Sequence, residues 1–354
     1  MRGAAPLTAP ADVQEAGLEL GALWLAVDRL VERAPRPADL VNHRLELFLA
    51  RSMRAGGRPV PKELVVPERR AQVGWLAVAP LLERARAACD APLLIVKGPE
   101  LAARYPEPAL RAFRDVDLVV ADPEGAQRAL LEAGFEEVGE PELYRDIHHL
   151  RPLSWPGIPL VIELHSRPKW IEPLAAPTAS ELIAGAVPSS LAPGFLTPAP
   201  AQHAVLVAVH SWAHEPLRRL RDLVDVAVLA AESDPAEAEA VARAWGVERL
   251  WATTTAVIER LVDERARRPL ALRVWAQNVE RARERTVFEH HLQRWLSDLW
   301  ALPLSLALRR MPSTLAREAT PGGGEGWRRK LSRSAMALRH ARRRRSEHDD
   351  ELGG

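Results

Sequence analysis

Asp115-Val116-Asp117-Leu118-Val119-Val120 is the stretch on which the fold turns. Its apolar, β-branched second half reads as a buried strand. Residues i and i+2 of a strand project from the same face, so Asp115 and Asp117 present two carboxylates side by side. Most D-x-D pairs of soluble proteins are solvated turn residues, whereas this pair runs directly into the strand. A hard divalent ion such as Mg²⁺ takes one or two protein carboxylates and completes its octahedron with water and substrate phosphates.

Upstream, Leu93-Leu94-Ile95-Val96 between Pro92 and Gly98 reads as another buried strand. The turn Lys97-Gly98-Pro99 then opens a helix over residues 100–105, and a glycine turn at a helix start can offer backbone N–H groups to a phosphate. Downstream, Asp122-Pro123-Glu124 is a helix start; the helix closes at Gly134, and extended structure resumes over 135–138. Pro159-Leu160-Val161-Ile162-Glu163-Leu164-His165 is a third clear strand. A charge flanked by Ile162 and Leu164 is costly unless it faces solvent, a partner or a metal. With the aspartates, Glu163 makes three carboxylates, enough for a two-metal phosphoryl-transfer site.

The rest is helical in pattern. Residues 11–54 read as two helices, 55–61 as a Gly/Pro-rich break and 67–88 as a third helix. Beyond Pro177 strand signals are few, and helices are expected over 200–214, 217–232, 235–244, 249–267 and 270–302. From Pro321-Gly322-Gly323-Gly324 onward periodicity fades, and the run Arg342-Arg343-Arg344-Arg345 reads as part of a solvated tail with one basic helix near 327–345. The expected fold class is α+β: an N-terminal helical segment (1–90), a small mixed-sheet core (91–170), a C-terminal helical domain (171–318) and a loosely ordered basic tail (319–354).

Composition narrows the partners. At 354 residues, 47% apolar and 27% charged, the chain has the balance of a globular protein with ample core. Lys and Arg total 48 against 47 Asp and Glu, so no global field favours nucleic acid or an anionic membrane. One cysteine, Cys89, excludes a disulfide framework and a cysteine-rich zinc site within the chain, and a cytoplasmic setting is the expectation. No signal-peptide core and no membrane-spanning run is visible.

In order, these motifs resemble the DNA polymerase beta-like nucleotidyltransferase superfamily: strand, glycine turn, helix, a strand bearing D-x-D, and a third acid on a later strand. A bacterial family of uncharacterised nucleotidyltransferases is the closer resemblance, carried by Val96-Lys97-Gly98, Tyr105-Pro106, Arg111, Asp115-Val116-Asp117, His148-His149, Glu163-Leu164-His165 and His210-Ser211-Trp212-Ala213-His214 over residues 93–229. The superfamily usually has Gly-Ser or Gly-Gly where this chain has Gly98-Pro99, which removes a backbone donor and a hydroxyl. The resemblance implies that Asp115, Asp117 and Glu163 bind Mg²⁺, with Mn²⁺ as a substitute. It further implies that Lys97, Gly98 and Arg111 bind nucleotide, and that a nucleoside monophosphate passes from a triphosphate such as ATP to an acceptor. The acceptor is a small molecule, a protein or an RNA end. A degenerate member that binds nucleotide or a partner without turnover, or a helical interaction protein, is the alternative.

Four further residues, His149, His165, His214 and Asp222, are expected on the substrate side. Adjacent strand histidines face opposite ways, so of His148 and His149 at most one points into the site. His165 shares the face of Glu163 and serves the pocket or a structural bond. His210 and His214 have i, i+4 spacing, but without H-E-x-x-H or an obvious third ligand they read as facing the cleft rather than binding zinc. Asp222 and Asp225 share a helix face with Arg218 or Arg221, as an ion-pair cluster or as an acceptor site. The eleven tryptophans are read as packing residues.

Overall fold

The computed structural model describes residues 19–144, 149–321 and 326–347. Its centre is a mixed sheet in the order β3-β4-β5-β2-β1-β7-β6. The strands are β1 (Leu93–Ile95), β2 (Asp115–Val119), β3 (Glu136–Glu137), β4 (Leu153–Ser154), β5 (Val161–His165), β6 (Ala186–Pro188) and β7 (Phe195–Pro198). β1 runs antiparallel to β2 and parallel to β7, while β2 and β5 are parallel. The α+β reading therefore holds.

Strand alternation divides the sheet chemically. Ile95, Val116, Leu118, Ile162 and Leu164 face one way and pack with Leu81, Leu82 and Ala85 of helix Val78–Ala88 and Leu130 of helix Pro123–Glu132. The opposite face carries Asp115, Asp117 and Val119 on β2 beside Val161, Glu163 and His165 on β5. On that side Leu94, Val96 and Val119 join a larger apolar cluster that includes helix Pro200–His214. This helix is buried through most of its circumference and packs against Leu220–Ala230, Pro235–Ala244 and Glu248–Val262. The same cluster takes in Leu23, Val27 and Phe48 of the N-terminal helices, so the three segments share one core.

Several elements differ from the pattern read in the sequence. β6 and β7 extend the sheet at a place where strand signals were few, because both are short and proline-punctuated; Pro188 ends edge strand β6 and Pro198 ends β7, positions where proline costs least. The expected helix over 67–88 is two, Lys62–Leu76 and Val78–Ala88, with Pro67 inside the first. The N-terminal region holds three helices, Leu20–Arg33, Pro37–His43 and Glu46–Ala55. Residues 270–302 are also interrupted, since Thr286 and Glu289 form a capping box that starts a new helix at Val287. Trp212, Trp275 and Trp300 pack edge to face as expected, whereas Trp327 is exposed.

The arginine run is docked rather than loose. After helix Trp327–Arg339, Val287 N–H donates to the Arg343 carbonyl and Arg345 N–H to that of Arg285, each at 3.1 Å. Arg344 reaches Asp39 and Arg345 reaches Glu215, both at 3.2 Å. These acids lie far away in sequence, so local charge counting saw only a solvated block. Among the described residues no helix is long and apolar enough to cross a membrane.

Candidate active site

The register of β2 against β5 sets Asp117 directly opposite Glu163 and Val119 opposite His165. One carboxylate oxygen each from Asp117 and Glu163 and one ring nitrogen of His165 lie within 4.8 Å of one another. His165 Nε2–H donates to Asp117 Oδ1 at 3.1 Å and lies 3.8 Å from Glu163 Oε2. His149, paired with His165 across an isolated bridge, puts its Nε2 3.7 Å from Glu163 Oε2. Its neighbour His148 lies outside the described residues.

The acids are unequal. Burial alone would keep Asp117 protonated, but the Lys97 ammonium and the His165 hydrogen bond overcome it and hold the carboxyl well below its usual range. Burial, then the charge of Asp117, raises Asp115. Glu163 is pushed up to about 8 by burial and by the negative charges of Asp117 and Asp115. Three carboxylates on one partly buried face repel one another, and the Lys97 ammonium, a proton on Glu163 or a bound cation each relieves that repulsion.

Asp117 Oδ2 is buried with no hydrogen-bond partner among the described residues. A converging pair of carboxylates with one orphaned oxygen fits a divalent ion, and His165 sits as an imidazole that orients a ligating carboxylate. Asp115 shares this face and its field, but the converging donor atoms are those of Asp117, Glu163 and His165.

Gly98 has φ of +65°, and a Cβ there would run into the Asp115 carbonyl oxygen, so the turn lies hard against the D-x-D strand. The helix it opens is one turn, Pro99–Ala102. Arg111 lies beneath the turn: its Nη1 donates to the Gly98 carbonyl at 3.0 Å, and its Nε and Nη2 fork onto Asp225 at 2.7 and 2.8 Å. The Tyr105 hydroxyl donates to the same carboxylate at 2.7 Å. With Arg111 and Asp225 each 3% exposed, this guanidinium supports the turn and does not face a ligand. Asp225 was read in sequence beside Arg218 or Arg221; its forked partner lies 114 residues away.

Lys97 Nζ lies 2.8 Å from His210 Nε2, and Lys169 Nζ lies 3.0 Å from His214 Nδ1. Lys169 had no distinguishing signal in the sequence beyond its charge. Asp222 does not belong to the converging group of Asp117, Glu163 and His165 and lies 4.0 Å from Arg221. His203, buried, bonds the Val96 carbonyl through Nε2 at 2.8 Å and anchors helix Pro200–His214 to the end of β1.

A mixed sheet with facing acids on neighbouring parallel strands, behind a strand and glycine turn, defines a nucleotidyltransferase-like α+β fold. A family model described as an uncharacterised nucleotidyltransferase matches residues 62–263, more than half of the chain, and the protein belongs to that family. No curated protein matches the chain.

The raised Glu163 carboxyl predicts a metal-free stability effect. An acid whose pKa rises on folding, here from 4.5 to about 8, contributes nothing below its unfolded pKa and destabilises increasingly until the pH passes the folded value. In chelator at pH 8.5, Glu163→Gln is expected to be more stable than wild type by about 1–3 kcal/mol, a few degrees in Tm. The two melting curves should converge toward pH 4.5, and added divalent ion should favour wild type. Equal Tm values across this range would refute the assigned charge crowding.

Proposed function

We propose that the protein is a Mg²⁺-dependent nucleotidyltransferase that moves a nucleoside monophosphate from a nucleoside triphosphate, such as ATP, to an acceptor hydroxyl with release of pyrophosphate. The observation that carries this reading is the convergence of Asp117, Glu163 and His165 around a buried, unpartnered carboxylate oxygen. When bound, the divalent ion neutralises charge on the attacking and leaving oxygens. Asp117 and Glu163 hold it, and His165 fixes the orientation of Asp117. Asp115, two residues earlier on the same face, serves the nucleotide side. Lys97 supplies positive charge to the phosphates, while Arg111 serves the site through Gly98.

Glu163 accepts the proton of the acceptor hydroxyl as the acceptor oxygen bonds to the α-phosphorus. The bond from that phosphorus to its bridging oxygen breaks, and pyrophosphate leaves with the electron pair. His149, half-buried beside Glu163, is the acceptor-side candidate. A small hydroxylated molecule, a protein side chain and an RNA end all fit this chemistry. Binding without turnover is the alternative that Pro99 favours, since it removes a backbone donor from the phosphate turn.

Thermal shift with each nucleoside triphosphate, with Mg²⁺ or with chelator, tests the reading on wild type and on Asp115→Ala/Asp117→Ala. Nucleotide should add stability to wild type, beyond what Mg²⁺ alone gives, only when Mg²⁺ is present, and the double variant should gain none from nucleotide. The enzyme reading falls if no pair stabilises wild type. Stabilisation without pyrophosphate release, when cell extract supplies acceptors, selects binding without turnover.

A further inference from the structure

Helix Pro200–His214 carries His210 and His214 one turn apart, with ring centroids separated by 4.6 Å. Each ring accepts a hydrogen bond from a lysine: Lys97 Nζ donates to His210 Nε2 at 2.8 Å, and Lys169 Nζ donates to His214 Nδ1 at 3.0 Å. The four side chains form a row, Lys97, His210, His214, Lys169, that begins where the Lys97 charge acts on Asp117 and ends, past the exposed His214, at the half-buried Lys169. Among the described residues neither ammonium is in direct contact with a carboxylate, although the Lys97 charge acts on Asp115, Asp117 and Glu163, and the two lysines act on each other unfavourably.

Histidine is the informative choice of partner. Burial, followed by the charge of Lys97, holds His210 well below its ordinary pKa, and burial with Lys169 brings His214 down to about 4. Both rings are therefore neutral near pH 7. A neutral imidazole accepts from an ammonium and orients it without cancelling its charge, whereas a carboxylate would cancel it. Each ammonium has three N–H donors and spends one on its imidazole, so the row presents donors and positive charge. The lysine contacts, with no third ligand converging among the described residues, also answer the zinc question raised by the i, i+4 spacing.

We propose that Lys97 and Lys169 form the subsite for the β- and γ-phosphates of the nucleotide, with His210 and His214 as positioning residues that hold the two ammonium groups without neutralising them. This rests on the nucleotidyl-transfer reading above. A polyphosphate entering beside Asp115, Asp117 and Glu163 needs cations, and Pro99 with its one-turn helix leaves the glycine turn short of backbone donors. The two ammonium groups make good that deficit, Lys97 from the turn after β1 and Lys169 from the segment after β5, and they hold the pyrophosphate that leaves.

Calorimetric titration of inorganic pyrophosphate with Mg²⁺ into the full chain tests the subsite, beside Mg²⁺-nucleotide thermal shift on the same samples. Lys169→Ala should weaken pyrophosphate binding roughly 10- to 100-fold, the loss of one charge-assisted contact, and Lys169→Arg should retain most of it. At the exposed position 214, His214→Gln offers Lys169 a neutral acceptor and should bind close to wild type. His214→Glu neutralises Lys169 and should lose as much as Lys169→Ala. Glutamate binding as well as glutamine at this position overturns the proposal, as does a wild type that ignores pyrophosphate. If wild type gains stability from Mg²⁺-nucleotide while Lys169→Ala keeps full pyrophosphate affinity, the subsite is wrong and nucleotidyl transfer stands; if no nucleotide stabilises wild type, both readings fall.

Discussion

Arg111→Ala is expected to destabilise the protein by about 3–5 kcal/mol, the cost of leaving one member of a buried ion pair without its partner. The forked bonds to Asp225 and the bond to the Gly98 carbonyl occupy a guanidinium that is 3% exposed, so water cannot replace them. Among the described residues Asp225 would keep the Tyr105 hydroxyl as its hydrogen-bond partner and the more distant charge of Arg221. The reverse change, Asp225→Ala, should cost a similar amount because it strands the cation. Replacing both with apolar residues, Arg111→Met with Asp225→Leu, should recover most of the loss, since buried pairs and well-packed apolar substitutes are often close in energy. The recovery should stop short by about 1–3 kcal/mol, the cost of the orphaned Gly98 carbonyl. Urea denaturation of the two single variants and the double variant completes the cycle. A single-variant cost below about 1 kcal/mol would place the pair in the energetic class of exposed ion pairs and remove its role as the prop of the glycine turn. Activity should fall with stability in Arg111→Ala, because the turn it props carries Lys97.

The site was legible in the sequence wherever its geometry follows from a local period. Asp115 and Asp117 share a face because strand side chains alternate, and His165 shares the face of Glu163 for the same reason. The facing of Asp117 and Glu163 needs one further fact, that β2 and β5 are parallel neighbours in that register, and no local pattern supplies it. The pairings of Arg111 with Asp225, Lys97 with His210 and Lys169 with His214 are likewise set by tertiary packing over 114, 113 and 45 residues. Sequence reasoning could therefore flag Arg111 as a cation near the site, yet only packing shows that its charge is already matched. Helix Pro200–His214 was readable to its ends from Pro200 and the apolar run, while β6 and β7 were too short and too rich in proline to carry an alternation. The docked arginine run was missed because Asp39 and Glu215 are remote in sequence.

Asp117→Asn is expected to reduce nucleotidyl transfer by about 10³-fold or more, equivalent to about 4 kcal/mol in the barrier. Asparagine keeps the size of the side chain and can still accept the His165 hydrogen bond through its amide oxygen, so the change removes charge with little loss of packing. Two consequences separate this effect from simple misfolding. Divalent-ion stabilisation of the apo chain should disappear in Asp117→Asn, because Asp117 belongs to the converging group with Glu163 and His165. Asp115→Asn should keep more of the ion effect, since Asp115 lies outside that group, but should lose nucleotide-dependent stabilisation, which needs both carboxylates on the face. Asp115→Asn should also ease the crowding on Glu163, to which Asp115 contributes. Metal titrations followed by Tm, with and without nucleotide, read both consequences on the same samples. If Asp117→Asn keeps its divalent-ion stabilisation while Asp115→Asn loses it, the ion is centred on the first aspartate and the grouping of Asp117, Glu163 and His165 is a hydrogen-bonded cluster only. If neither variant changes the response, the carboxylate face is not where the ion binds.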